Sequence, residues 1–311
     1  MLDTLIRGGW VVDGSGNPAY PADVAIEGDR IVDVGRLPNA QAATIIDATG
    51  KFVCPGLIDS HSHTDWSIHA NPTAQSTIRQ GVTTEVVGNC GHGNAPVAEH
   101  SLGVVEAQLR NYAYGGPVAW RTFGEYLEVI RQMGTSCNLV WLVGHNTLRH
   151  AAGVIGPHAT EEQLRCMEAL TREAMESGAV GLSTGLEFEP GRMAPTDEII
   201  RVAQIAGAYG GLYVSHIRNR DAHLQEAIDE FLAIMRASGT AGEVSHLNVR
   251  HNTGAAEGAW GRAVDSLERA RREGLDVLAD TTPFRDGLGM LAAILPPWIK
   301  AEGAARAVEW L

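Results

Sequence analysis

The stretch Phe52-Val53-Cys54-Pro55-Gly56-Leu57-Ile58-Asp59-Ser60-His61-Ser62-His63-Thr64-Asp65 decides how this chain is read: a short apolar run that stops at two histidines two residues apart. Val53, Leu57 and Ile58, broken by Pro55-Gly56, suit a buried parallel strand better than a helix. In extended backbone residues i and i+2 project to one side, so the imidazoles of His61 and His63 converge on one point. Two neutral imidazoles are good ligands for a first-row metal, zinc above all. Taken alone, His-x-His is also a dipeptide that surfaces carry by chance, and the residues downstream decide between the two.

Working outward, residues 1–52 carry short apolar segments that end at Asp-Gly or Gly-Asp turn signals, as in Asp23 to Gly35 around Gly28-Asp29. This is the pattern of hairpins and predicts a small β module ahead of a main domain over 53–311. From Cys54 onward strand, glycine-rich junction and helix alternate. Strands are expected at 53–60, 82–88, 138–144, 178–183, 211–216, 243–248 and 275–280. Helices are expected at Glu161 to Ser177, with Thr160 as N-cap and Gly178 after the end, and at Thr196 to Tyr209, Asp221 to Ser238 and Trp260 to Glu273. Residues 98–135 read as a helical insertion after the second strand. Seven such repeats imply a parallel sheet and a TIM-like (β/α)8 barrel whose eighth strand is missing, since Glu309-Trp310-Leu311 falls inside the helix expected after strand seven.

Candidate chemistry gathers where strands end, and carboxyl ends of barrel strands line one mouth. The second strand closes in Gly88-Asn89-Cys90-Gly91, the third in Gly144-His145-Asn146, the fifth in Ser215-His216-Ile217-Arg218 and the sixth in Ser245-His246-Leu247-Asn248. His61, His63, Cys90, His216 and His246 would face a common centre. Cys90 can also be read as a small buried apolar residue. The glycines around it match neither a P-loop nor a dinucleotide fingerprint and read as a tight turn that presents Cys90. Asp65 can hydrogen-bond a ligand imidazole or cap the next helix. Arg218 can meet a substrate carboxylate or close a salt bridge, and His145 can donate to a carbonyl or pack.

Hydrophobic residues at 44% and charged residues at 20% are ordinary for a globular chain of 311 residues, which leaves no case for a disordered or fibrous class. A net charge of −13 argues against nucleic acid as a partner. Met1-Leu2-Asp3-Thr4-Leu5 enters a strand pattern without the apolar core of a leader, and no run approaches about eighteen apolar residues. A cytoplasmic protein with no membrane partner is expected. Cys54, Cys90, Cys137 and Cys166 lie far apart, a usage closer to reduced thiols than to a disulfide framework.

Together, Pro55 to Asp65, Gly88-Asn89-Cys90-Gly91, Gly181-Leu182-Ser183-Thr184-Gly185-Leu186, Ser215 to Asn219 and Ser245-His246-Leu247 resemble the N-acyl-D-amino-acid deacylases (D-aminoacylases) of the amidohydrolase superfamily, across nearly the whole chain. The resemblance implies a tightly bound zinc on Cys90, His216 and His246, a second and weaker position completed by His61 and His63, and hydrolysis of an N-acyl-D-amino acid by metal-activated water. Four departures stand out. The resemblance expects a lysine where this chain has Asn248, and tyrosines where it has Thr282 and Phe188; Thr282, Phe188, His145 and Arg218 are the expected substrate contacts. It also expects an aspartate at the end of strand eight, for which Asp280 is the substitute at hand. Two alternatives follow: an amidohydrolase of cyclic amides or dipeptide-like substrates, and a non-catalytic fragment that binds metal, turns over little and associates into homo-oligomers through open strand edges.

Overall fold

The computed structural model describes residues 1–250 and 253–284. Two units divide the chain, Met1–Leu57 and Ile58–Leu311. In the first, β1 (Leu2–Val11), β2 (Tyr20–Glu27), β3 (Arg30–Gly35), β4 (Ala42–Asp47) and β5 (Phe52–Val53) make one sheet. Gly28-Asp29 forms the expected hairpin turn, with Glu27 of β2 opposite Arg30 of β3. β1 runs antiparallel to β2 and parallel to β4 and β5. Its register shifts between Ile6 and Gly9, and a Cβ on Gly9 would fall 2.5 Å from Val53 Cγ2, so this bulge admits only glycine. Val11, Ala22 and Val24 are the buried centre, with Ile6, Ile26 and Val53 packed against them.

The larger unit is built on a seven-stranded sheet whose order follows the sequence: β6 (Leu57–Asp59), β7 (Val82–Val87), β8 (Asn138–Gly144), β9 (Gly181–Gly185), β10 (Leu212–His216), β11 (Ala241–Val244) and β12 (Val277–Ala279). Neighbours from β7 to β12 pair in parallel. Helices occupy the connections, as parallel pairing requires. They are α1 (Thr64–Ser67), α2 (Gln75–Ile78), α3 (Leu102–Asn111) and α4 (Phe123–Met133) in the insertion after β7, α5 (His145–Ala151), α6 (Glu161–Ser177), α7 (Thr196–Ala208), α8 (Leu224–Ser238) and α9 (Ala259–Arg272). Sequential parallel strands with intervening helices are the TIM-like arrangement that the sequence predicts. Among the described residues the sheet is open between β12 and β6. The helix expected after the seventh strand lies outside the described residues.

Three local differences have physical causes. The stretch expected as one strand over 53–60 is two, β5 and β6, because Pro55 cannot donate to a ladder and Gly56 gives a flexible break. α8 begins at Leu224 rather than Asp221, since the Asn219 side chain accepts from the amides of Asp221 (2.8 Å) and His223 (3.0 Å) and holds them in a turn. β11 stops at Val244, and His246 beyond it has a φ of +36°. By contrast, α6 runs from Glu161 to Ser177 as read, with a reciprocal Thr160–Gln163 cap and Gly178 left-handed at its end.

Val87, Val143, Leu182, Tyr213, Val244 and Val277 of the strands pack with Met167, Ile199, Val202, Ile228, Phe231 and Leu267 of the helices into one apolar core. Its role for the site is rigidity: strand ends cannot shift without opening close-packed volume. Among the described residues no helix is long and apolar enough to cross a membrane.

Candidate metal centre

The centre lies just past the carboxyl ends of β6, β7 and β11. After β6 the Asp59 side chain accepts the His61 amide (3.0 Å) and turns the chain into the His61-Ser62-His63 segment. After β7 the chain passes Gly88, φ +79°, where a Cβ would lie 2.1 Å from the Leu142 carbonyl oxygen. Gly91, φ +75°, is as tightly placed, 2.5 Å from the Gly185 amide by the same measure. Cys90 between them takes a φ of +55°, and His246 one of +36°. Left-handed backbone in non-glycine residues costs on the order of 1–3 kcal/mol and persists where packing over-determines it, a pattern that clusters at functional sites.

These constraints aim three side chains at one another. Cys90 Sγ lies 3.4 Å from His61 Nε2 and 3.5 Å from His246 Nε2, and ligand atoms of the three residues all fall within 4.8 Å. Bond lengths of about 2.3 Å to sulfur and about 2.05 Å to nitrogen give a tetrahedral zinc shell an S···N edge of about 3.6 Å. The observed spacings match that edge to about 0.2 Å. A donor set of one thiolate and two imidazoles also suits zinc and excludes the hard, oxygen-seeking cations. Cys90 is 5% exposed. Burial would push its thiol up, but the imidazoles around it outweigh burial and hold it well below the usual range. The thiolate is the form that ligates a metal.

Each donor has its own support. Burial disfavours the His61 cation, yet Asp280, accepting from His61 Nδ1 at 2.8 Å, and the Cys90 thiolate push the imidazole up to about 10. The other Asp280 oxygen accepts the backbone amide of His246 at 2.6 Å. Glu243 sits beside Asp280 and accepts from Ser60 Oγ (3.1 Å); burial and the Asp280 carboxylate push it up to about 7. Arg220 Nη1 reaches His246 Nδ1 (3.0 Å) and Asn248 Oδ1 (3.3 Å), while its Nη2 donates to Glu187 (3.0 Å). Burial would raise the Glu187 carboxyl, but His216 and Arg220 bring it down to about 2.

Residues 44–311 match the model of the amidohydrolase family. The chain belongs to that family. It is 37% identical over 289 residues to N-acyl-D-glutamate deacylase of Alcaligenes xylosoxydans xylosoxydans, a match that covers 91% of this chain and 57% of the relative. A structure of N-acyl-D-glutamate deacylase from Bordetella bronchiseptica, complexed with zinc and a phosphonate inhibitor that mimics the tetrahedral intermediate, superposes with a TM-score of 0.82 at 34% identity, covering 91% of this chain and 59% of that one. A D-aminoacylase structure described by its binuclear metal centre gives the same score and coverage at 36% identity. The chain therefore spans less than three fifths of the length of these amidohydrolases.

Within this amidohydrolase frame the expected residues fall into two groups. His61, Cys90 and His246 come together. His63 is next to them, its ring 5.5 Å from that of His61 and 4.3 Å from Trp66, with a buried Nδ1 that has no partner among the described residues. His216 lies 4.3 Å from His246 by ring centroids; its Nε2 donates to Glu187 (2.8 Å) and its buried Nδ1 is unpartnered among the described residues. Phe188 packs on His216 at 4.4 Å and so lines the site. Thr282 is exposed, two residues past Asp280. Asp65 lies inside α1 rather than at its cap, which His63 occupies; it is fully buried, and burial pushes its carboxyl up to about 7.

His145 and Arg218 sit apart from an open substrate position. His145 is fully buried and donates to Glu198 (2.9 Å), which also takes Arg149 (2.6 Å). Arg218 spends its guanidinium on Glu230 and on the carbonyls of Arg192 and Ala194. Arg218 takes the salt bridge of its two options, while His145 takes neither of its own and is tied to the buried Glu198 carboxylate. Asp280, the substitute for a strand-eight base, accepts from His61 Nδ1 with one oxygen and from the His246 amide with the other. Arg220, Glu187 and Arg250, which donates to Glu187 and Asp221, were not singled out from sequence. The available signal was the Arg218-Asn219-Arg220 run, in which a second cation follows two residues after the first.

Proposed function

We propose that this centre binds zinc and serves hydrolysis of the amide bond of N-acyl-D-amino acids. The observation that carries the reading is the Cys90–His61–His246 set at the spacing of a zinc shell, in a chain 37% identical to an N-acyl-D-glutamate deacylase. Bound zinc would supply an acidified water and polarise the scissile carbonyl. Cys90, His61 and His246 would hold one ion, with His61 in the place that the resemblance gives to His216, and His63 and His216, each with a buried nitrogen unpartnered among the described residues, are the donors at hand for a second. Asp280 fixes the His61 tautomer so that Nε2 faces the metal.

Arg220 supplies the positive charge for the substrate carboxylate. Where the resemblance expects a lysine, Asn248 instead accepts from Arg220, so the cation is retained on a neighbouring loop. Glu187 balances that charge until a substrate carboxylate competes for it. Pairing both a carboxylate and a side chain leaves room for one arrangement about Cα, which is the basis for D-selectivity. The test is amine release from N-acetyl-D- and N-acetyl-L-forms of leucine, glutamate and aspartate, with zinc and with a chelator. Zinc-dependent release from the D-forms alone supports the reading. Faster cleavage of carboxylate-free cyclic amides, or no release from any substrate by zinc-loaded protein, overturns it.

A further inference from the structure

We infer that Glu85 is a positioning residue that holds the His61–His63 arm of the centre from behind. The His61-Ser62-His63 segment leads from β6 into α1 at Thr64, and the hydroxyl residues on either side of His63, Ser62 and Thr64, share one buried partner. Both hydroxyls end on one atom: Glu85 Oε1 accepts from Ser62 Oγ at 2.8 Å and from Thr64 Oγ1 at 2.7 Å. The two hydroxyls are 2.9 Å apart, and the Ser62 amide donates to the Val86 carbonyl (2.9 Å), which fastens the same segment to β7. Glu85 Oε2 accepts from Cys137 Sγ (3.1 Å) at the start of β8.

Glu85 is 1% exposed, and these partners are all neutral. A buried carboxylate is costly unless its lone pairs are filled, and here the filling donors flank the two histidines. The carboxylate therefore converts the rigidity of β7 into a fixed direction for His61 and His63. Ser62, Thr64 and Cys137 carry no chemistry in the proposed reaction, so their convergence on one acceptor accounts for a polar cluster that the zinc site itself does not use.

The inference rests on the zinc reading above and predicts an effect on metal affinity confined to the histidine arm. Zinc affinity is measured by competition with a chromophoric chelator, alongside absorption spectra of the Co²⁺-loaded protein and circular dichroism, for Glu85→Ala, Glu85→Gln and Thr64→Val. Glu85→Ala should weaken zinc about tenfold, the usual scale for groups that orient a ligand. Its cobalt d–d bands should change while the thiolate-to-cobalt band from Cys90 remains. Glu85→Gln, which keeps an acceptor for both hydroxyls, should restore most of the affinity. Zinc affinity in Glu85→Ala equal to wild type overturns the inference, and so does a Gln variant as weak as Ala. If Glu85→Ala fails to fold, Thr64→Val decides: weaker zinc at an unchanged melting temperature supports the grip, and unchanged affinity overturns it. Wild-type protein that takes up no zinc, or a Cys90→Ala variant that keeps it, would sink the zinc reading itself.

Discussion

Replacing Asp280 by Asn separates orientation from proton transfer at this centre. One carboxylate oxygen holds His61 Nδ1 at 2.8 Å and the other the His246 amide at 2.6 Å, so a single side chain sets two of the three donors. The Asn carbonyl oxygen can keep the His246 amide, which leaves its NH2 against His61 Nδ1. With Nε2 on the metal, Nδ1 carries the proton, and two donors then meet where a charge-assisted hydrogen bond had been. Such bonds contribute about 1.5–3 kcal/mol, which converts to roughly 10- to 150-fold in a dissociation constant and agrees with the effect usual for groups that orient a metal ligand. Zinc competition at pH 8 should show a loss in that range at unchanged circular dichroism. Affinity within about twofold of wild type, or hydrolysis abolished with zinc binding intact, would refute the orienting role and return Asp280 to the part of a general base.

Arg220→Met should raise KM for N-acetyl-D-amino acids by about 10-fold or more, the scale of a lost charged contact, while leaving kcat within a few-fold; a change in kcat alone would remove Arg220 from carboxylate binding. Glu198→Gln should destabilise the fold by about 3 kcal/mol, because Arg149 is left buried without its carboxylate, and lower the melting temperature by roughly 6–12 °C. Burial would raise the Glu198 carboxyl, but His145 and Arg149 outweigh it and its pKa is lowered from 4.5. A depressed carboxylate stabilises above its unfolded pKa and loses that contribution as pH falls through the folded value, so the gap between wild type and variant should be full at pH 7 and shrink below about pH 4. A gap that does not vary with pH would show that the effect is one of packing. Gly91→Ala should cost about 1–3 kcal/mol from its φ of +75° alone, with more from the clash at the Gly185 amide, and should lower zinc content; a neutral outcome would mean that the Cys90 turn is not fixed as described.

How much of this was legible in sequence depends on the range of the contacts involved. α6 was readable end to end because its signals are local: Thr160 and Gln163 cap one end, Gly178 the other. The strand order was readable because each strand ends in a glycine or a polar break. Pro55-Gly56 was read as an interruption, but not as the division that sends β5 and β6 to different sheets. The five donor residues were all named from their places at strand ends. How each is held was not, since His216 also reaches Glu187, 29 positions away, and His61 reaches Asp280, 219 positions away. Arg218 and Arg220 differ by two positions and similar chemistry; only tertiary partners, Glu230 for one and His246 for the other, tell them apart. Glu85 left no pattern at all, as a lone acidic residue among the valines and threonines of its strand.

The claim on which everything else stands is that Cys90 is the pivot of a zinc site. The direct measurement is the zinc content per chain of purified wild-type protein and of Cys90→Ala, by elemental analysis after dialysis against metal-free buffer. About one zinc per wild-type chain and a small fraction of that in Cys90→Ala is the predicted result. Equal zinc in both would contradict it, reducing Cys90 to a packed thiol and the 3.4 and 3.5 Å spacings to coincidence.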